Sequence, residues 1–136
     1  MKRKRQKIWA LAAPRSVSPD PLEKQAIIDA CEAFIADVLK PRFRPTVTPT
    51  EFNYPIDIRG DWRAGRYRFS QRYRSGQPHN EGLEFDAPFA RIDRMGPDRF
   101  DTYWMRHTDT WYRLHTDETL AEALHILETD PVPFPY

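Results

Sequence analysis

The segment Arg66-Tyr67-Arg68-Phe69-Ser70-Gln71-Arg72-Tyr73-Arg74 constrains this chain more than any other. A helix would scatter its aromatic residues around the axis. An extended strand instead sends Tyr67, Phe69 and Tyr73 to one face and Arg66, Arg68, Arg72 and Arg74 to the other. The chain must therefore pair this strand into a sheet and cover one side of it. Further apolar runs are separated by turn-forming residues. Phe52–Ile58 carries Pro55, which marks an edge strand, and Gly60-Asp61 reads as a turn. Leu83–Met95, Phe100–His107 and Trp111–His115 are divided by Gly96-Pro97-Asp98 and Thr108-Asp109-Thr110. The spacing predicts an antiparallel meander of four to five strands.

Two helices flank the meander. Asp20-Pro21-Leu22-Glu23 combines a capping carboxylate, proline at the first helical position and a glutamate that reaches back. Apolar residues then recur at helical spacing from Leu22 to Leu39, and Pro41 ends the run. Cys31 lies on that face as a small buried hydrophobe. A second, shorter helix starts at Thr116 or Asp117, presents Leu120, Ala123, Leu124 and Leu127, and stops at Asp130-Pro131. The expected fold is α+β: N-terminal helix, antiparallel meander, short C-terminal helix. Residues 1–19 form a basic arm, 20–130 a single domain and 131–136 a proline-rich tail.

With 136 residues and 40% of them hydrophobic, the chain has material for one core. The net charge is only +1, so it is no polycation, but the charge is segregated. The first 19 residues carry six bases and no acid, and every basic residue after Lys40 is an arginine. A single cysteine excludes an internal disulfide framework and a thiolate zinc cage. After the basic start, the apolar stretch Ile8–Ala13 is shorter than the roughly seven to fifteen residues of a secretory core. A cytoplasmic protein without a membrane span is expected.

Register decides what the arginines can do. A constant sum of 158 sets Tyr73 opposite Phe85, Phe69 opposite Phe89, Arg74 opposite Glu84 and Arg72 opposite Asp86. In the next hairpins a sum of 195 sets Arg94 opposite Asp101, and 218 sets Trp104 opposite Leu114. Tyr67, Phe69, Tyr73, Phe85, Ala87, Phe89, Trp104, Tyr112 and Leu114 then share the covered face. Arg66, Arg68, Tyr103, Met105, His107, Trp111, Arg113 and His115 share the other. Arg66 and Arg68 face only Ile92 and Ala90 and lack an acid. Buried acidic partners for them within the chain would undo a phosphate-contacting role.

No glycine-rich phosphate loop, G-x-S-x-G elbow or H-E-x-x-H motif occurs. His107, His115 and Asp109 could approach one another, but nothing supplies a third firm ligand, so neither metal nor cofactor is expected. The chemistry points to a non-enzymatic binding module. Arg66, Arg68, Tyr103, His107, Trp111 and Arg113 are the candidates for contacting nucleic acid, with aromatics stacking bases and arginines following phosphates. A protein partner is the other binding possibility.

Gly65-Arg66-Tyr67-Arg68 with Arg72-Tyr73-Arg74 resembles the alternating arginine/tyrosine strand of RelE/ParE-like toxins, which implies a small ribonuclease as the enzymatic alternative. Met105-Arg106-His107-Thr108-x-x-Trp111, preceded by Phe89-Ala90-Arg91 and Arg99-Phe100, resembles a family of small bacterial domains of unknown function. That resemblance spans roughly residues 41–130 and implies an arginine-rich meander followed by a short leucine-rich helix. It brings no activity or catalytic residue with it.

Overall fold

The computed structural model describes residues 18–43, 47–105 and 109–130. The basic arm up to residue 17, His107 and the tail from 131 lie outside them. Helix α1 (Pro21–Phe34) starts as expected, with the Asp20 carboxylate accepting the Glu23 backbone N–H at 2.8 Å. It does not stop at Pro41. The turn Ile35–Leu39 widens to π geometry, with the Lys40 N–H donating to the Ile35 carbonyl, and the chain continues as α2 (Lys40–Phe43). Pro41 thus sits just past the widened turn of one continuous helical run and can donate no bond of its own to the carbonyls of that turn.

Five strands follow: β1 (Asn53–Arg63), β2 (Arg66–Ser75), β3 (Glu84–Gly96), β4 (Arg99–Met105) and β5 (Trp111–Glu118). They form one antiparallel sheet in sequence order. Helix α3 (Leu120–Thr129) comes last. The molecule is α+β, as the sequence pattern indicates. Its last helix begins later than Thr116, because Thr119 and Glu122 form a capping box that fixes the start.

The first strand runs through Gly60-Asp61 and turns at Ala64-Gly65 instead. Both residues there have positive φ (52° and 81°), as a two-residue hairpin turn of the primed kind requires. Gly60 stays inside the strand, and it must lack a side chain there because the Tyr67 ring lies within 2.3 Å of an added Cβ.

Both helices pack on the same side of the sheet. Ile27, Cys31, Phe34, Ile35 and Leu39, with Ala123 and Leu127 of α3, meet Ile58, Tyr67, Phe69, Phe89, Ala90, Ile92 and Phe100. Burial pushes the Cys31 thiol up to about 12, so it remains a protonated core residue. The expected covered face is therefore only partly right. Tyr67, Phe69 and Phe89 are buried, but Phe85 and Tyr112 are 39% and 41% exposed. Ala90 and Ile92 belong to the covered side.

A bulge accounts for this. The sum of 158 holds from Arg74↔Glu84 to Ser70↔Pro88, then slips to Phe69↔Ala90 and Arg66↔Asp93, leaving Phe89 as the extra residue. The later hairpins also depart from uniform registers. Arg94 lies opposite Phe100 rather than Asp101, and Trp104 lies opposite Tyr112 rather than Leu114. An irregularity between Thr102 and Tyr103 sets Thr102 against His115, which reaches Asp130 at the end of α3 (3.8 Å). His115 thus belongs to the helix side. Arg94 instead anchors the start of α1, donating to both carboxylate oxygens of Glu23 at 3.1 and 2.7 Å.

Candidate binding interface

The sheet face turned away from the helices carries the candidate residues, in a lattice built by cross-strand register. Asp93 is its centre, with a side chain only 1% exposed. Arg91, two residues earlier on the same face of β3, grips it with both prongs: Nε to Oδ1 at 2.9 Å and Nη2 to Oδ2 at 3.2 Å. Arg66 lies directly across in β2 and brings Nε to within 3.4 Å of Oδ2. This is an ion pair without good hydrogen-bond alignment, and the Arg66 Nε is buried without a hydrogen bond among the described residues. Burial pushes the Asp93 carboxyl above its ordinary value, against the pull of Arg91 and Arg66. On the other side, β4 places Asp101 opposite Asp93. Asp101 accepts the Asp117 backbone N–H at 3.1 Å and has Arg113 at 3.8 Å. At the opposite flank Arg68 donates to Asp61 at 3.3 Å.

The aromatics serve this lattice. The Arg91 guanidinium sits 4.0 Å from the centre of the Tyr103 ring and 4.8 Å from that of Trp111. Such cation–π contacts strengthen once water is excluded, and the Arg91 side chain is only 11% exposed. Tyr103 is 4% exposed.

The sequence expectations divide accordingly. Arg66, Arg68, Arg113, Tyr103 and Trp111 do share the face, while His107 lies outside the described residues. The expectation that Arg66 and Arg68 lack acids is overturned. The bulge at Phe89 moves Asp93 opposite Arg66 and Arg91 opposite Arg68, and Asp61 of β1 pairs with Arg68. Their side chains nevertheless stay 40% and 36% exposed. Tyr103 lies under Arg91 and presents no free ring for a base. Sequence reasoning missed Arg91 and Asp93, the most buried pair on the face. Their signal was an Arg-x-Asp spacing in a strand, which places both side chains on one side.

A second cluster continues the face toward the end of β2. Arg72 donates to Glu84 (3.0 Å) and Asp86 (3.1 Å), and Arg74 donates to Glu84 through Nε (3.1 Å) and Nη2 (2.9 Å). These pairs follow the expected register. Hydrogen bonds from Arg72 and Arg74 hold the Glu84 carboxyl below its ordinary value. A depressed carboxylate stabilises the fold above its unfolded pKa, and that contribution is lost as pH falls through the folded value. Glu84→Gln is therefore expected to flatten the acid limb of a thermal-stability profile between about pH 5 and 3 while changing its shape little above pH 6. A parallel pair of profiles would show the pairing to be inert.

Comparison with known proteins now adds a family. A model described as a domain of unknown function, DUF3024, matches residues 19–134. The chain belongs to the DUF3024 family. The match is wider than the resemblance in the meander implied, since it takes in α1 and reaches residue 134. No curated protein and no solved structure matches the chain. For this DUF3024 domain, the chemistry of the face must carry the functional reading. Among the described residues, no three histidine, cysteine, aspartate or glutamate side chains are grouped to hold a metal ion, and no helix is long and apolar enough to cross a membrane.

Proposed function

We propose that this domain is a non-enzymatic accessory module that holds a partner protein on the sheet face opposite its helices. One observation carries the reading: on that face Arg66, Arg68, Arg91 and Arg113 are each tied to Asp61, Asp93 or Asp101, around Tyr103 and Trp111. The surface is nearly charge-balanced and its guanidinium groups are held in place. Trp111 and the half-exposed Arg66, Arg68 and Arg113 are of the residue types that carry binding energy between proteins, above all where their geometry is fixed beforehand, as Tyr103, Arg91 and Asp93 fix it from beneath. A polyanion fits less well, because its phosphates would have to compete with the domain's own carboxylates.

The half-exposure of Arg66, Arg68 and Arg113 favours nucleic acid as the second reading. One set of experiments separates the two. Immobilised domain is expected to capture a partner from lysate equally well with and without nuclease, and Trp111→Ala should weaken capture about tenfold or more. It should not bind single-stranded RNA or DNA saturably at low salt. Saturable binding, with a salt slope that drops by about one in Arg66→Ala and in Arg68→Ala, would assign the face to nucleic acid. RNA cleavage by clean wild-type protein that is lost in those variants would make the domain a ribonuclease.

A further inference from the structure

We propose that the cavity between the widened turn after α1 and strand β1 binds a small, uncharged organic molecule with a hydrogen-bond acceptor on an apolar body. The cavity measures about 270 Å³ and is lined by Ile35, Ala36 and Lys40 from the helical side and Ile58, Gly60 and Tyr67 from the sheet. Its helical wall is the π turn itself. That turn hydrogen-bonds Lys40 to Ile35 five residues back, and such single-turn departures occur often at functional sites.

The sheet wall holds the chemistry. Tyr67 is 1% exposed, and its hydroxyl is buried with no hydrogen bond among the described residues. The hydroxyl and ring edge lie against Gly60, a position that must lack a side chain to let them stand there. A buried phenol ordinarily has a partner. In this proposal an acceptor on an occupant of the space that Tyr67 lines supplies one, the ring shifting toward that space to meet it.

The surroundings select against a charged occupant. Lys40 and Arg59 at the rim are both already joined to Asp57, at 3.2 and 3.3 Å, and Glu32 stands on the α1 side. The local charges cancel. Ile35 and Ile58, 5% and 1% exposed, supply apolar walls. A lined space of roughly 150 Å³ already accepts benzene in an engineered protein, so a ring bearing a carbonyl or ether is the scale that fits. The proposal does not depend on the sheet-face reading.

The test uses acetophenone, its hydrocarbon counterpart ethylbenzene, and benzoate as probes. Each is titrated into the full chain and followed by backbone amide shifts. Acetophenone is expected to shift the amides of Ala36, Gly60 and Tyr67 saturably, and Tyr67→Phe should weaken it about threefold to tenfold, the worth of one hydrogen bond, while leaving ethylbenzene unchanged. Ala36→Trp should abolish both by filling the space. Should that variant fail to fold, the Tyr67→Phe comparison and the shift map decide alone. Absence of saturable shifts with either neutral probe, identical acetophenone binding by Tyr67→Phe, or tighter binding of benzoate would each overturn the proposal. The first two would leave water as the hydroxyl's partner.

Discussion

Asp93→Ala should destabilise the domain by about 3–5 kcal/mol, the usual cost of removing one partner of a buried ion pair. The loss would come less from the missing attraction than from what remains. Arg91 is 11% exposed and held between Tyr103 and Trp111. Without Asp93, its charge would be shut away from water with no carboxylate in contact. Arg66, across the strand, would lose its acid as well, but it is exposed enough to turn to solvent. Urea denaturation of wild type and variant, compared at equal slope, gives the number. A loss below about 1 kcal/mol would mean that the lattice behaves as an ordinary surface pair. The double variant Asp93→Ala with Arg91→Met should recover part of the loss, because replacing both charges by apolar groups avoids the stranded one.

Gly76→Ala is expected to be comparably damaging for a steric reason. A Cβ at residue 76 would stand 1.8 Å from the Thr50 carbonyl oxygen and 3.0 Å from that of Phe52. Both obstacles are backbone, so no side-chain rotation can relieve them. The Gly76 N–H donates to the Phe52 carbonyl at 2.8 Å, which ties the approach to β1 against the end of β2. Adding the methyl must push these segments apart and break that bond. A loss of about 1–3 kcal/mol is typical of forced overpacking, and here it should reach the upper end. Unfolding at room temperature would agree with it. A thermal midpoint within 2 °C of wild type, on the order of the shift from a few tenths of a kcal/mol, would show that the contact relaxes freely.

Both predictions rest on contacts that the sequence hides. Element type was legible because it follows from period: alternation in Arg66–Arg74 gives a strand, and the spacing of Ile27, Cys31 and Phe34 gives a helix. The Arg72 and Arg74 pairs were legible too, since they lie within one uninterrupted register close to the turn. The pairing of Arg66 was not. Nothing in Ala87-Pro88-Phe89-Ala90 announces which residue the ladder leaves out, and one omission shifts every partner beyond it. Pro88 is the only hint, as a residue that cannot donate to a ladder. The Tyr67 hydroxyl beside Gly60 depends on the hairpin turning at Ala64-Gly65 rather than Gly60-Asp61. Only the packed structure distinguishes those turns, because either glycine could serve. Tyr103 failed as a stacking platform for a different reason: residue type said that it could stack, while its cross-strand neighbour Arg91 had already taken its ring.

The unpaired position at Phe89 also bears on how this gene can change in length. Within an unbroken stretch of ladder, losing or gaining a single codon inverts the side chains that follow in that stretch, sending arginines inward and isoleucines to solvent. At Phe89 the reading frame of the ladder has a spare place. Deleting that one codon would join Pro88 to Ala90 with their present partners Ser70 and Phe69 intact, and the inside and outside of the remaining strands would stay as they are. The domain would lose one core ring but keep its two-sidedness. A lineage could therefore drop this residue in a single step, where the same step inside the unbroken register from Ser70 to Arg74 would turn that stretch inside out.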